Sequence, residues 1–477
     1  MSIIQRFNKF KFHMYYKVIL IFVLGFSVSL TSVLTVHISG EAMEANSYEC
    51  NAYIDPAINL LNGDGYSNLS GGKYEPETER LPMYPFFIYV TYWIFGLNND
   101  LSLVVIQCVM VGLIAVVSSL AAYALRPQWM LLTGLLTALT PAIFYRASIV
   151  MPGVQFTLFV TCGIAAVLWA LRGRYATTFL ILGGASFGIA MLTRPIILFL
   201  PLLSTPVLAL GLRYQLQDSW FRAIGKATLP VIIMLSLTVP WLIRNYKLTG
   251  QMVYTTQTGR HTLGWTYPCL ANRWGCGKRN VEAKAYAKIR REELLESMTD
   301  EQKNNPAVLS KAKTKLGCEL ILGLPFSRLT TAIIGSTVKM MMHNILYEVM
   351  LRYEIPALYI GKIKGSGIQD KIVNFFKYIK NDKWMIGWLI LQLLLVISRV
   401  LQVVGIISFI RHHEYRWQIY WMLSVMASFM AASVGYGNNR YRIQIEPILI
   451  IFLIMGFQTI KDRFLRYRVG LPFERDP

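Results

Sequence analysis

Charge is scarce in this chain. Asp, Glu, Lys and Arg make up 15% of its 477 residues, against roughly a quarter in soluble domains. With 54% hydrophobic residues, that shortfall excludes an ordinary soluble domain. Acids are the scarcer sign: 26 Asp and Glu face 47 Lys and Arg, a formal charge of +21. In a soluble protein such a balance points to nucleic acid. Here the positive-inside bias of membrane loops accounts for it, so nucleic acid is not an expected partner. No CxxC pair occurs among the six cysteines, which leaves redox-motif and zinc-ribbon chemistry without a basis. His261, His343, His412 and His413 are too scattered to set out a metal site. GxxxxGK, GxGxxG, HExxH and GxSxG are missing in any supporting context. Nucleotide hydrolysis, dinucleotide binding and zinc proteolysis therefore have no motif behind them. Internal repeats and low-complexity segments are absent as well.

What the chain has instead is a series of bilayer-length apolar runs. The expected fold class is all-α: a polytopic membrane protein of about ten (9–12) transmembrane helices. Residues 1–17 carry Arg6, Lys9, Lys11 and Lys17 and no acid, which places the N-terminus in the cytoplasm. Val18 to Ile38 is longer than a signal-peptide core and no small-residue cleavage site follows, so it reads as a retained span. Spans are predicted at 18–38, 101–125, 128–146, 153–171, 176–192, 195–212, 227–243, 385–410, 416–434 and 443–460. Alternation puts Arg126, Arg172, Arg174, Arg213, Arg222 and Lys226 inside, together with RHHEYR at 411–416 and the basic tail. Three regions result: a membrane module 1–243 whose first outer loop is 39–100, an outer loop 244–384, and a C-terminal module 385–477. Pro82 to Gly96 is apolar, aromatic and too short to span; it is expected to lie in the outer interface. Residues 281–315 read as a solvated or interfacial helix pair. Residues 329–350 either span or lie flat, and the basic stretch Lys362 to Lys383 falls outside in this topology. Cys108 and Cys162 sit in apolar runs as packing residues. Cys269 and Cys276 pair if their loop faces an oxidising compartment.

Several arginines defy the orientation bias by falling on the outer side: Arg80, Arg146, Arg194, Arg244, Arg440 and Arg442. Singly, each is explained by lipid headgroups or snorkelling. As a group they suit one shared anion, because the guanidinium fork matches phosphate, and a lipid phosphate sits at that height. Acids near the first span complete such a site. Glu41, Glu44, Glu49 and Asp55 are all able to serve as a general base by chemistry alone. Asp55 before Pro56 also reads as a helix N-cap, NGDG at 62–65 as a turn, and Glu75, Glu77 and Glu79 as a solvated acidic face. Arg399 is the one charge that stands out within an apolar run.

Four stretches carry a resemblance. ECNAYIDPAINLLNGDGYS has an acid, a tyrosine four on, a Leu-Leu-x-Gly and a Gly-Tyr; RLPMYPFFIYVTYWIFG has Arg-x-Pro-x-Tyr-Pro before a short aromatic helix. PWLIRNYKLTGQMVYTTQTG and NNRYRIQIEPILII complete the set. Together they resemble the GT-C superfamily of integral-membrane glycosyltransferases, in the branch of dolichyl-phosphate-mannose protein mannosyltransferases, lipid A aminoarabinose transferases and bacterial core-oligosaccharide transferases. The resemblance implies an inverting hexosyl or pentosyl transferase at the outer face of a bacterial inner membrane, with both termini cytoplasmic. Its donor would be a polyprenyl-phosphate sugar. Its acceptor would be a glycolipid, a polysaccharide or a protein. It implies that Glu49 is the catalytic base, with Arg80, Arg194, Arg244, Arg440, Arg442, Tyr53 and Tyr84 at the substrate or its phosphate. Asp55, Glu44 and Glu79 stand as secondary acids. The family's acid at the outer end of the third span has no counterpart near Pro152 and Gly153. No cofactor is implied with certainty; acids beside a phosphate either hold a divalent metal or act alone. A lipid-linked glycan transporter and a non-catalytic relative are the rival readings.

Overall fold

The computed structural model describes residues 3–38, 48–272, 281–346, 348–349, 367, 369–370, 373–374 and 383–469. Glu41, Glu44, Cys276 and most of the basic stretch 362–383 lie outside the described residues. The chain is a polytopic helical membrane protein. Seven helices are long and apolar enough to cross a bilayer, and two bent pairs raise the number to nine.

The long helices are α1 (Ile3–Ile38), α4 (Asp100–Leu125), α7 (Gly153–Ala170), α9 (Leu200–Gln215) and α10 (Trp220–Thr249), then α17 (Lys383–Phe409) and α19 (Glu446–Val469). α8 (Ala176–Met191) and α18 (Arg416–Ala432) match the predicted spans 176–192 and 416–434 in place but have only 16 and 17 residues. The predicted straight span 128–146 is instead a pair bent by 53°: α5 (Met130–Ala138), with its leading turn, and α6 (Pro141–Phe144), with its trailing one. Pro141 is the physical reason, since it supplies no N–H to continue α5. The ambiguous run 329–350 resolves likewise. α15 (Pro306–Leu322) and α16 (Phe326–Met342) meet at 106° around Gly323-Leu324-Pro325, so α16 is one arm of a bent pair.

Helix packing relies on small residues where backbones meet. At the crossing of α17 and α19, a Cβ on Gly456 would stand 2.0 Å from the Leu401 carbonyl oxygen, and one on Gly405 would stand 2.5 Å from the Gly456 nitrogen. Only glycine permits that approach. The outward faces remain apolar, as in Leu202 (72% exposed) and Phe221 (90% exposed); a lipid-facing surface requires this.

Two groups of helix ends form. At one end Arg126 donates from Nε to the Tyr415 hydroxyl at 2.8 Å and lies over the rings of Trp129, Phe409 and Tyr415. A cavity of about 240 Å³ lined by Arg172, Gln215, Glu414 and Gln418 lies at that end. At the other end the loop after α1, the starts of α4 and α7, the ends of α8 and α10 and the start of α19 converge. Met83 N–H donates to Leu192 O at 3.1 Å, Gln107 to Ala147 O at 3.0 Å, and Thr256 N–H to Thr78 O at 3.0 Å. The first loop builds this end from α2 (Tyr48–Asn62), a hairpin of β1 (Ser67–Ser70) and β2 (Lys73–Pro76), and α3 (Met83–Phe95). The hairpin was not foreseen; Gly71 and Gly72, at φ +55° and +80°, make its tight reversal. α3 is the short aromatic helix expected at 82–96, with Phe86 and Trp93 exposed.

Candidate functional site

Glu49 sits in the first turn of α2. Negative charge there is favoured by the helix dipole. On a helix, positions three, four and seven on share its face, which puts Ala52, Tyr53 and Pro56 behind it. Asp55, six on, points elsewhere. Asp55 is also not an N-cap, because α2 starts seven residues earlier at Tyr48 and carries Pro56 in its interior. Burial raises the Asp55 carboxyl above its ordinary value. α2 ends in the predicted turn: Gly63 and Gly65 take φ +89° and +72°, and Asp64 N–H returns to Asn59 O at 2.9 Å.

The partner of Glu49 comes from the far end of the sequence. Both terminal nitrogens of Arg440 lie 3.3 Å from one Glu49 carboxylate oxygen. Arg440 is held by a turn, Asn439–Tyr441, capped by Asn438, whose side chain accepts from Arg440 N–H at 2.9 Å. Glu49 is 56% exposed and Arg440 31%, so the pair is open to an incoming ligand.

Arg194 stands beside them, close enough to feel the charges of Arg440 and Glu49. Its guanidinium packs on Phe156 (5.9 Å) and Tyr441 (5.8 Å), and among the described residues it makes no side-chain hydrogen bond or ion pair. Pro195 fixes this placement by forcing extended backbone at Arg194, φ −148°, ψ 135°.

The remaining predicted arginines make their contacts within the protein. Arg80 is 7% exposed, lies 4.7 Å over the Tyr53 ring and donates to the Tyr53 hydroxyl at 3.4 Å; its Nε has no partner. Tyr84 is fully buried, packs edge-on against Tyr53 and donates to Gln107 at 3.1 Å. Arg80, Tyr53 and Tyr84 are thus packed in series, guanidinium on ring and ring edge-on to ring. Arg244 donates to the carbonyls of Glu77 (2.9 Å) and Tyr66 (3.0 Å) and lies over Trp241, clamping the hairpin to α10. Arg442 is buried against Glu446 at 2.5 Å and donates to Met340, Met341 and His343 carbonyls. It caps the C-terminal end of α16. Arg399 reinforces that cap, donating to Met341 O at 3.2 Å and to Gln402 at 2.7 Å.

The acidic cluster is not a solvated face. Glu77 is buried and accepts from Asn68 and from the backbone N–H of Glu79 and Arg80. Its burial raises its pKa, with those backbone donors opposing. Glu79 pairs with Arg260 at 3.1 Å; Glu75 lies on β2, exposed.

Sequence reasoning missed two participants. Glu348 reaches Arg146, which also donates to Asn439 at 2.8 Å, next to Arg440. One Glu348 oxygen is buried without a hydrogen-bond partner. No local motif marks it; only the unpaired Arg146 asked for an acid. His261, near Arg80, Arg194 and Glu49, has Nδ1 3.1 Å from the Tyr436 hydroxyl. Burial, then neighbouring Arg260, depresses its pKa to about 4, so it is neutral at pH 7. Cys269 is disulfide-bonded, while Cys108, Cys162 and Cys318 are not. Among the described residues no group of three or more His, Cys, Asp or Glu is placed to hold a metal.

Glu49, Arg440 and Arg194 therefore form one acid–cation cluster at one end of a helical membrane bundle, with Glu49 exposed and the two arginines half-buried. The chain is similar to solved membrane glycosyltransferases. The oligosaccharyltransferase of Archaeoglobus fulgidus in its apo form matches with a TM-score of 0.48 at 8% identity, over 94% of this chain and 51% of that one. The same organism's AglB, in complex with an inhibitory peptide and a dolichol-phosphate, matches with a TM-score of 0.43 at 11% identity, over 93% and 52%. ArnT from Cupriavidus metallidurans bound to undecaprenyl phosphate matches with a TM-score of 0.40 at 16% identity, over 87% and 77%. The chain spans about half the length of the archaeal transferases. No protein-family model and no curated protein matches the sequence.

Proposed function

We propose that this chain is an inverting glycosyltransferase that moves a sugar from a polyprenyl-phosphate donor to an acceptor hydroxyl, at the outer face of a cell membrane. The observation that carries the reading is the Glu49–Arg440 pair with Arg194 beside it, which makes no side-chain hydrogen bond or ion pair among the described residues. In the proposed mechanism a phosphate enters between the two guanidinium groups and draws Arg440 away from Glu49. The freed carboxylate takes the proton of the acceptor hydroxyl as that oxygen attacks the anomeric carbon from the face opposite the phosphate. The C–O bond to phosphate breaks, both electrons leave with the lipid phosphate, and Arg194 and Arg440 hold the charge that develops there. Glu49 is the more exposed member of the pair, 56% against 31% for Arg440, so water screens its hold on Arg440 and a phosphate takes over that contact.

Orientation follows from charge. The opposite end of the bundle carries Arg126, Arg172, Arg174, Arg213, Arg222, Lys226, Arg411 and Arg416, which the positive-inside bias assigns to the cytoplasm. The bonded Cys269 suits the Glu49 end facing an oxidising compartment. Arg399, the one charge that favoured a transport path, is occupied as a helix cap.

Binding tests the reading. Protein in nanodiscs is titrated with undecaprenyl phosphate and with undecaprenol. The phosphate should be required, and Arg194→Gln should weaken binding by about tenfold or more, the worth of a charged hydrogen bond. Equal binding of the alcohol, or no effect of the substitution, rejects it.

A further inference from the structure

The outer loop brings a second set of cations to the rim of this site. Arg260 lies in the last turn of α11 (Gln257–His261), one residue before His261. α11 lies directly on α15: Gly259 N–H donates to Ser310 Oγ at 3.1 Å, and a Cβ on Gly259 would stand 2.4 Å from Ser310 O and 3.0 Å from Lys313 Cβ. That close approach, open only to glycine, sets Arg260 next to Lys313. From α13 (Val281–Glu296) comes Arg291, whose charge also reaches Lys313. Its neighbours on α13 are accounted for: Lys288 pairs with Glu292 and Arg290 with Glu293. Arg291 and Lys313 have no hydrogen bond or ion pair among the described residues. Among the described residues the acid beside Lys313 is Glu79, and it is paired with Arg260. Lys313 thus lies between Arg260, which holds Glu79, and Arg291. Like charges held together without counter-ions are destabilising unless a ligand relieves them.

We propose that Arg260, Arg291 and Lys313 form an anion subsite that receives a carboxylate or phosphate group carried by the glycan acceptor. The acceptor is then an acidic saccharide, its hydroxyl presented to Glu49 while its charge rests on this rim. α13 exposes Lys284, Lys288, Arg291 and Glu292 as well as Val281, Tyr286 and Ile289, a mixed face that an amphipathic saccharide fits. The assignment of the bound group to an acceptor rests on the transfer reading above; the subsite itself is tested by binding alone.

Full-length protein in phosphatidylcholine nanodiscs is titrated by calorimetry with a galacturonic acid trimer and with neutral maltotriose, at low and high salt. The charged trimer should bind about tenfold or more tightly than the neutral one, a ratio set by charge-assisted contacts, and added salt should erode it. The double variant R291Q/K313Q should lose that preference, and E79Q, which frees Arg260, should strengthen it. E49Q, which disables transfer in the proposed mechanism, should leave trimer binding unchanged. Failure of transfer with binding intact therefore faults the mechanism and not the subsite. Equal affinities for the two trimers overturn the proposal, as does charged-trimer binding unaltered in R291Q/K313Q. Repeating the titration in phosphatidylglycerol nanodiscs separates the sources of anion. Persistent trimer binding supports a glycan subsite; its abolition assigns the cations to lipid headgroups and overturns the proposal.

Discussion

Replacing Arg442 with methionine separates a structural arginine from a ligand-binding one. Arg442 and Glu446 are 5% and 8% exposed in their side chains. Removing the cation leaves the Glu446 charge buried without its partner, which costs about 3–5 kcal/mol. The carbonyls of Met340, Met341 and His343 also lose a donor, at roughly 1 kcal/mol or more for each group left unsatisfied. Met341 keeps Arg399 at 3.2 Å, so the contributions do not simply add. The net expectation for R442M is a loss of about 4 kcal/mol. The double variant R442M/E446L removes both charges and should recover most of it, since an apolar replacement of a buried pair is often neutral. By contrast R194M should leave stability within about 1 kcal/mol of wild type, because among the described residues Arg194 makes no side-chain hydrogen bond to lose. The assay is denaturant unfolding of the full chain in detergent micelles, followed by tryptophan fluorescence. An R442M protein as stable as wild type would refute the reasoning and return Arg442 to the set of substrate ligands. So would a double variant no better than the single one.

Further outcomes follow from particular contacts. His261 binds a proton less readily folded than unfolded, so stability should fall as pH drops from about 6.5 to about 4, by up to about 3 kcal/mol; H261Q should flatten that slope, measured by unfolding at a series of pH values. G456L should force α17 from α19, costing about 1–3 kcal/mol or more, read as lowered thermal stability. Cys318 is free and exposed on α15. A membrane-impermeant maleimide should label it from the outside of intact cells, and labelling only after permeabilisation would reverse the proposed orientation.

Much of the bundle is legible in the sequence because bilayer thickness imposes a length on apolar runs. α1, α4, α7, α17 and α19 fall where those runs do. Bends are less legible: Pro141 lies within a segment, 128–146, that hydropathy alone reads as one straight span. The Glu49 end is partly legible. A carboxylate in the first loop and a set of arginines at helix ends are both readable, and the structure pairs Glu49 with Arg440. Which arginine is free was not readable. Arg244 and Arg442 look like Arg194 in one dimension; their carbonyl partners come from elements scores of residues away. Asp55 misled because a proline after an acid resembles a helix start, while tertiary packing extends α2 back to Tyr48. Glu77 misled because three alternating acids resemble a solvated strand, yet one of them turns inward to organise the loop.

The most direct measurement is transfer itself. Radiolabelled sugars on undecaprenyl phosphate, taken from a panel of donors, are incubated with wild-type and E49Q proteoliposomes and a glycan-containing membrane extract as acceptor pool. Labelled product should form with wild type and with inverted anomeric configuration. E49Q, folded and inserted normally, should be slower by about 100-fold or more, as expected for loss of a general base. Transfer by E49Q at the wild-type rate, or product that retains configuration, would contradict the role assigned to the first-loop carboxylate.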